Sequence, residues 1–240
     1  RSGRANWHIA LQKAAGKRKR QLARALTSTS VPMHTAHVAA TCRRVFDDDA
    51  ILVVDGGNTS VWTHFHWEVR QPGALLGTPK MGMLGAGLPQ AVGAKTAFPD
   101  RQVVCITGDG AMGFHPQEVE TMVRHGLPIV VLVVCDKQWG MVKMTQAFAT
   151  KPLKTLVLKR LPDTDHVGTE LGEIEWDQLA RSMGAHGERV GDPAGLEGAI
   201  RRSLASGRPS VIHVDVDPKA HLWAPDLRTF KEMHQEPVGR

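Results

Sequence analysis

The feature that most constrains the fold is an alternation, from Ala50 onward, of short apolar runs with longer helical stretches. This alternation is typical of βαβ units, in which helices cover both faces of a parallel sheet. The pattern predicts strands at 51–54, 103–107, 129–134, 186–190 and 211–216, and helices at 84–97, 116–125, 139–149, 176–183 and 193–206. We therefore expect a doubly wound α/β domain with a mostly parallel sheet.

Length and composition favour a soluble globular protein. The chain has 240 residues, of which 42% are hydrophobic, enough for one large core. The longest apolar run, 129–135, is far shorter than the roughly 20 residues that a membrane helix needs, and no secretion signal is visible. Cys42, Cys105 and Cys135 lie far apart without metal-type spacing, which favours buried, reduced thiols and a cytoplasmic location.

The positive charge is confined to the start of the chain. The first 30 residues contain eight Lys or Arg and no acidic residue, so the remainder has 22 basic and 24 acidic residues. The alternatives are a solvated helix face and a patch for RNA or membranes. The helix face is favoured because aromatic residues do not alternate with the charges. We expect neither a nucleic-acid partner nor a membrane partner.

Four glycine-containing loops stand where a ligand is expected. In an open parallel sheet, ligands bind beyond the carboxyl ends of the strands. Three predicted strands are followed there by "DGGNTS" (55–60), "GDGAMG" (108–113) and "CDKQWGM" (135–141). A fourth loop, "GTPKMGMLGAGLP" (77–89), leads into a predicted helix. Their convergence on one rim predicts a binding site.

The loop at 108–113 combines a phosphate-binding pattern with a carboxylate. It fits G-x-G-x-x-G between a strand and a helix, but its second residue is Asp109, which repels a diphosphate unless a cation lies between them. Asp136 follows 27 residues later, after one βαβ repeat, so both carboxylates should leave neighbouring strands. Carboxylates together with phosphate oxygens are typical ligands of Mg²⁺. The N–H groups of Gly110 and Ala111 are suited to the phosphates.

These residues resemble the thiamine diphosphate enzymes, whose signature is Gly-Asp-Gly followed, after some 25 to 30 residues, by Asn-Asn. Here "GDG" is at 108–110 and "CD" at 135–136. The resemblance covers about residues 32–216 and is greatest to the diphosphate-binding domain of acetolactate synthase-like enzymes. It implies thiamine diphosphate and Mg²⁺ as cofactors. The implied metal ligands are Asp109, Asp136 and the backbone carbonyl of Gln138.

The resemblance also implies a set of cofactor contacts. Leu84, beside Gly82, would hold the cofactor in its bent conformation. The implied cofactor-binding residues are Asn58, Thr59, Gly82, Met83, Leu84, Asp109, Gly110, Ala111, Asp136, Gln138, Gly140 and Met141. No catalytic residue is assigned, and the candidate acid–base groups are four histidines: His64, His66, His115 and His125.

One residue and one pair of residues depart from the family pattern. Asp136 replaces the usual Asn and should make binding depend more strongly on Mg²⁺. Met144 and Thr145 stand where acetolactate synthases have Gln-Trp in the acceptor pocket. The acceptor substrate is therefore left open.

The resemblance places the chain within a larger assembly. In the family, the glutamate that activates the cofactor comes from a pyrimidine-binding domain, and we find no counterpart here. We interpret 1–45 as the tail of an upstream middle domain that could carry FAD, 46–218 as the diphosphate-binding domain and 219–240 as a C-terminal tail. The pyrimidine-binding domain would be supplied in cis or by another subunit, in a homodimer or homotetramer.

The expected function is that of a C-terminal component of a lyase or transferase. Such an enzyme decarboxylates a small 2-oxo acid and transfers the acyl-anion equivalent, as an acetolactate synthase-like carboligase or a decarboxylase. Without the pyrimidine-binding domain the chain should be inactive. The alternatives are a non-catalytic subunit that binds thiamine diphosphate and a NAD-dependent Rossmann oxidoreductase. For the latter, Asp136 lies later than the acidic residue that contacts ribose.

Overall fold

The computed structural model describes residues 2–78, 81–158 and 166–224. Its centre is a six-stranded sheet in the order β2-β1-β3-β4-β6-β5, in which all neighbouring strands are parallel. The strands are β1 (Ile51–Val54), β2 (Leu75–Gly77), β3 (Val103–Gly108), β4 (Ile129–Cys135), β5 (His186–Val190) and β6 (Ser210–Asp215). The doubly wound parallel α/β fold predicted from the sequence is confirmed.

Helices connect the strands and cover the sheet. The α-helices are α1 (Ser2–Ala23), α2 (Ala36–Val45), α3 (Asn58–His66), α4 (Gly87–Ala97), α5 (Asp109–Met112), α6 (Glu118–Arg124), α7 (Gly140–Thr150), α8 (Pro152–Leu158), α9 (Trp176–Ser182), α10 (Pro193–Ala205) and α11 (Pro218–Leu222). None of the helices in the described ranges is both long and apolar enough to cross a membrane.

Two apolar layers follow from the alternation of side chains along the strands. On one face, Leu52, Ile106 and Leu132 pack with residues of α2 and α10. On the other face, the intervening strand residues, such as Val53 and Val131, pack with α4, α6 and α9. Both faces of the central strands are buried, which is why these strands are continuous apolar runs rather than alternating ones.

Most predicted elements agree with the structure to within a few residues, and some do not. The helix predicted from residue 84 begins at Gly87. Helix α3, strand β2 and helix α11 were not predicted. Residues 151–175, with little periodicity and several Pro and Gly, predict a long surface loop or a cover over the site. This prediction is wrong for Pro152–Leu158, which form α8, and the segment 159–165 lies outside the described residues.

Two segments that are distant in the sequence, one before α2 and one after β6, pack together beside the sheet. Met33 forms a bridge with Val216, and the backbone N–H of Asp217 donates to the carbonyl of Met33 at 2.9 Å. Helix α2, which follows Met33, is part of the buried core. Helix α1 is largely exposed, although the guanidinium of Arg18 lies 5.0 Å above the ring of Phe65. The predicted solvated basic helix is therefore present.

The edges of the sheet are short or charged. Strand β2 has three residues and, among the described residues, pairs with β1 alone. Strand β5, at the opposite edge, contains Glu188 and Arg189. Arg202 of α10 pairs with Glu188, and Arg189 pairs with Asp215 at 2.7 Å. The three cysteines are buried, as the sequence predicted, and each is a free thiol in the structure.

Candidate cofactor-binding site

A cleft of about 350 Å³ opens at the carboxyl ends of β1, β3 and β4. It is lined by every one of the twelve residues that the sequence analysis assigned to cofactor binding. The wide sequence separation of these residues, from Asn58 to Met141, is bridged by the parallel strands that end together at this edge. The cleft is where the sequence reasoning expected a ligand.

The strand register brings the two loop carboxylates to the same place. Gly108, the last residue of β3, pairs with Val134 of β4, so Asp109 and Asp136 both follow directly at the end of their strands. The Oδ2 atom of Asp109 accepts the backbone N–H of Lys137 at 2.7 Å, which ties the two loops together. Lys137 adopts φ of 58°, an uncommon conformation for a non-glycine residue, at the same position where this hydrogen bond joins the loops.

Burial makes these carboxylates costly to ionise without a cation. Asp109 and Asp136 are 9% and 8% exposed. Burial, together with the neighbouring charge of Asp136, raises the pKa of Asp109 to about 6. Burial likewise raises the pKa of Asp136 to about 7, despite a hydrogen bond from Gln138 that opposes the change. A divalent cation between the two groups would offset this penalty, which fits the chemistry of an oxygen-lined Mg²⁺ site.

Gln138 connects the carboxylate pair to the start of helix α11. Its side-chain Nε2 donates to Asp136 Oδ2 at 3.0 Å and to the carbonyl of Pro218 at 2.9 Å. Its backbone carbonyl accepts the N–H of Gly140 at 2.9 Å and retains a second lone pair. The carbonyl is therefore chemically able to act as a third oxygen ligand.

The amino ends of two helices also meet at the cleft. The first residues of α3 (Asn58, Thr59) and of α7 (Gly140, Met141) all line it. The first N–H groups of a helix lack partners within the helix and carry partial positive charge, so they attract anions. Two such ends together provide a setting for a diphosphate.

Two glycines allow these helix ends to approach each other. A Cβ atom at Gly57 would lie 3.0 Å from Cβ of Met141, and one at Gly140 would lie 2.8 Å from Nδ2 of Asn58. Such distances are below normal contact. The glycines are required by the close packing of the two loops, which gives a physical reason for their presence in "DGGNTS" and "KQWGM".

The side-chain amide of Asn58 is buried without a hydrogen-bond partner in the described part of the chain. Its side chain is 4% exposed, and neither Oδ1 nor Nδ2 has a hydrogen-bond partner among the described residues. Leaving such groups buried and unpaired is unfavourable by about 1–3 kcal/mol each. A polar ligand in the cleft would satisfy them, so the residues present fit a bound diphosphate and cation.

His221 is part of the site but was missed by the sequence analysis. It lies on α11, lines the cleft and is 3% exposed. Its Nδ1 is 2.7 Å from Thr35 Oγ1, and its Nε2 is 3.4 Å from Thr59 Oγ1 and 3.9 Å from Asp136 Oδ2. Burial lowers the pKa of His221 to about 4. No sequence motif marks this residue, because only the tertiary fold brings it to the cleft.

The remaining loop residues form the rim or support it. Met83 is half exposed at the rim, and its carbonyl accepts a hydrogen bond from Thr78 at 3.0 Å. Asp55 also lines the cleft, and its Oδ1 and Oδ2 accept the N–H groups of Gly56 and Gly87 at 2.7 and 2.8 Å. Through these two hydrogen bonds, Asp55 connects the loop after β1 to the start of helix α4.

The histidines considered from the sequence separate into one cleft residue and three others. His64 lines the cleft, whereas His66 stacks on Trp62 with ring centroids 6.0 Å apart. His115 Nδ1 lies 2.8 Å from the carbonyl of Gly85, and His125 contacts Arg124 on the surface. His66, His115 and His125 do not line the cleft.

Comparison with known proteins decides the family. A family model described as "Thiamine pyrophosphate enzyme, C-terminal TPP binding domain" matches residues 55–214, which include the whole of the carboxylate pair and both helix ends. The chain belongs to this family. Thiamine pyrophosphate is the same compound as thiamine diphosphate, so the resemblance inferred from "GDG" and "CD" is confirmed.

Relatives in this family are acetolactate synthases and a decarboxylase. The chain is 34% identical over 193 residues to a probable acetolactate synthase of Mycobacterium bovis, covering 80% of this chain and 33% of that protein. It is 30% identical over 176 residues to the acetolactate synthase isozyme 2 large subunit of Escherichia coli, covering 73% and 30%. The chain thus spans about a third of the length of these relatives.

A solved structure of the family has the same fold. This is the thiamine diphosphate-dependent 4-hydroxybenzoylformate decarboxylase of Rhodococcus jostii RHA1, with a TM-score of 0.67 and 25% identity. The match covers 80% of this chain and 34% of that one. The chain is therefore a thiamine diphosphate-enzyme domain that resembles acetolactate synthases and a decarboxylase.

Proposed function

We propose that this chain binds thiamine diphosphate together with Mg²⁺ and serves an enzyme that decarboxylates a small 2-oxo acid and transfers the resulting acyl group. The observation that carries the proposal is the convergence of a buried carboxylate pair with two helix amino ends on one cleft. A carboxylate pair alone would attract a cation and helix ends alone would attract an anion. Together they suit a metal–diphosphate complex.

Each part of the cofactor has residues suited to it. Asp109, Asp136 and the carbonyl of Gln138 would hold the cation. The amino ends of α3 and α7, with the unpaired amide of Asn58, would hold the diphosphate. Gly82, Met83 and Leu84 at the rim would lie beside the aminopyrimidine. When bound, the cofactor supplies the electron sink for cleaving the bond between the carboxylate and the carbonyl of a 2-oxo acid.

The partner of this domain would cover the rim of the cleft. Met81, Met83, Phe114 and Val142 expose about half or more of their side chains (80%, 50%, 54% and 48%). Apolar groups beside a polar cleft are typical of an interface. We propose that a pyrimidine-binding domain, in cis or on another subunit of a homodimer or homotetramer, lies there and supplies the activating glutamate. A cytoplasmic location and a middle domain with FAD belong to the same proposal for the whole enzyme.

The test is the metal dependence of cofactor binding. Thiamine diphosphate with Mg²⁺ should raise the melting temperature, with a stabilisation of about 2.7 kcal/mol at a hundredfold excess over Kd. The same cofactor with EDTA should give little change, because the carboxylates then repel the diphosphate. NAD with Mg²⁺ is the control. Equal stabilisation with EDTA, or a larger effect of NAD, would contradict the proposal.

A non-catalytic role for the assembled protein is the second candidate, and activity separates it from the first. Release of CO₂ from pyruvate should be measured with the chain alone and with a glutamate-bearing pyrimidine-binding domain added. Turnover only in the mixture supports the enzyme. Metal-dependent binding without turnover in the mixture favours the non-catalytic subunit.

A further inference from the structure

We propose that Thr35, His221 and Thr59 form a hydrogen-bond chain that turns the hydroxyl proton of Thr59 into the cleft as a donor for a phosphate oxygen. His221 acts as a positioning residue in this chain. The inference rests on the proposed diphosphate site for its acceptor. The hydrogen-bond chain itself rests on contacts within the protein alone.

The first link is the hydroxyl of Thr35. Thr35 is the N-cap residue of α2, a position where a threonine side chain commonly accepts a backbone N–H of the helix. Here it makes no such capping bond, and its Oγ1 lies 2.7 Å from Nδ1 of His221. Thr35 is 3% exposed, so water does not compete with the imidazole for its hydroxyl.

The second link is the proton on His221 Nε2. The carboxylate oxygen of Asp136 lies 3.9 Å from Nε2. The buried hydroxyl of Thr35 has no hydrogen-bond acceptor among the described residues other than Nδ1, so its proton is donated to Nδ1 and the proton of the neutral imidazole lies on Nε2. Nδ1 of the neutral imidazole is then the acceptor, and Thr35 is the donor.

The third link fixes the hydroxyl of Thr59. Its Oγ1 lies 3.4 Å from Nε2, and with Nε2 protonated this oxygen is the acceptor. The proton of Thr59 must then point elsewhere. Within the described residues it has no other side-chain hydrogen bond, and Thr59 is 3% exposed on the wall of the cleft. A phosphate oxygen between α3 and α7 is the acceptor that this arrangement suits.

The hydrogen-bond distances predict which substitution weakens binding of Mg²⁺–pyrophosphate more. The 3.4 Å contact between His221 and Thr59 exceeds the usual N–H···O range, so it orients the hydroxyl weakly. Removing the hydroxyl itself should matter more, because a hydrogen bond to a charged group is stronger than one between neutral groups. Thr59→Val should weaken binding of Mg²⁺–pyrophosphate about tenfold or more, and His221→Asn should weaken it about threefold to tenfold.

The substitutions at His221 separate a donor from a space-filling role. His221→Gln keeps an amide N–H close to the position of Nε2, so affinity should stay within about twofold of the unmodified chain. His221→Asn keeps a polar group only near Nδ1. Thr63→Val is the matched control, since Thr63 lies one turn further along α3 and its hydroxyl bonds to the carbonyl of Thr59. It should leave the affinity unchanged.

The experiment has two readouts on the full chain. Nitrogen-15 NMR of the imidazole, without ligand, reports which ring nitrogen of His221 is protonated. Calorimetric titration with Mg²⁺–pyrophosphate reports affinity, with melting curves as a check that each variant folds. Protonation of Nε2 together with the order Thr59→Val, His221→Asn, His221→Gln in decreasing effect supports the proposal. A proton only on Nδ1 would overturn it.

The titrations give two further ways to contradict the proposal. Equal affinities of Thr59→Val and Thr63→Val would show that the hydroxyl does not donate to the anion. Equal losses in His221→Gln and His221→Asn would show that the Nε2 donor is irrelevant. If the unmodified chain binds no Mg²⁺–pyrophosphate, the proposed function and the anionic acceptor fail together, while the NMR result still decides the orientation of His221.

Discussion

Asp136→Asn should stabilise the metal-free protein at neutral to alkaline pH. Asp136 is 8% exposed, and burial raises the pKa of its carboxyl from 3.8 to about 7. The folded state therefore favours the protonated acid. The metal-free protein should be most stable below about pH 4 as far as this group is concerned, and should lose stability as the pH rises to about 7.

The magnitude follows from the pKa and from the neighbouring charge. One pKa unit corresponds to about 1.4 kcal/mol, so a pKa near 7 corresponds to a penalty of up to about 4 kcal/mol at alkaline pH. Asp109 carries part of the same mutual repulsion. We expect Asp136→Asn to raise the free energy of unfolding by about 2–4 kcal/mol in EDTA at about pH 8, and by much less at about pH 5.

Urea unfolding at the two pH values, with EDTA or with Mg²⁺, measures this effect. Mg²⁺ should stabilise the unmodified chain more at the higher pH, because it offsets a charge that is then present. Asp55→Asn is the matched control: Asp55 is buried in the same cleft, but its oxygens accept N–H groups of Gly56 and Gly87. It should leave the Mg²⁺ effect intact. An Asp136→Asn variant that is less stable than the unmodified chain in EDTA at both pH values would refute the reasoning.

Three other predictions concern the ligands, the glycines and activity. Asp109→Asn should weaken Mg²⁺ binding at saturating thiamine diphosphate more than Asp136→Asn, since the latter restores the family's usual ligand; the reverse order in Mg²⁺ titrations would contradict the assignment. Gly110→Ala should lower cofactor affinity, measured by calorimetry, because its Cβ would lie 2.5 Å from the Trp139 ring. Gly187→Ala should instead destabilise the fold by several kcal/mol, measured by melting curves, because its Cβ would lie 2.1 Å from a backbone oxygen of α9. The chain alone should release no CO₂ from pyruvate, because general acid–base assistance of about 10²- to 10⁴-fold is missing, and rapid release would refute the need for a partner domain.

The sequence predicted the centre of the fold because its signals there are local. Residues 103–107 and 129–134 are apolar runs with no alternative role, and the structure extends each by only one residue. The carboxylates at 109 and 136 follow these strands, so the regular βαβ repeat was enough to predict that they lie at one edge. Regular elements and their connections determine this part of the site.

Other features depend on contacts that the sequence does not display. Helix α3 was overlooked because two glycines, Gly56 and Gly57, directly precede its first residue. Strand β2 was overlooked because three residues are too few for a periodic pattern. His221 lies 85 residues after Asp136 and reaches the cleft only because β6 and α11 return beside β4. Its role follows from tertiary packing, which a one-dimensional pattern does not report.

The edges of the sheet restrict how this domain can associate with other proteins. An exposed, long edge strand invites another strand to add by backbone hydrogen bonds, which can lead to aggregation. Here one edge is the three-residue β2, and the other is β5, whose charged residues Glu188 and Arg189 face ionic partners. Growth of the sheet across either edge is therefore disfavoured. In the assembly proposed above, a second domain would contact side chains around the mouth of the cleft, so that this contact and closure over bound cofactor become the same event.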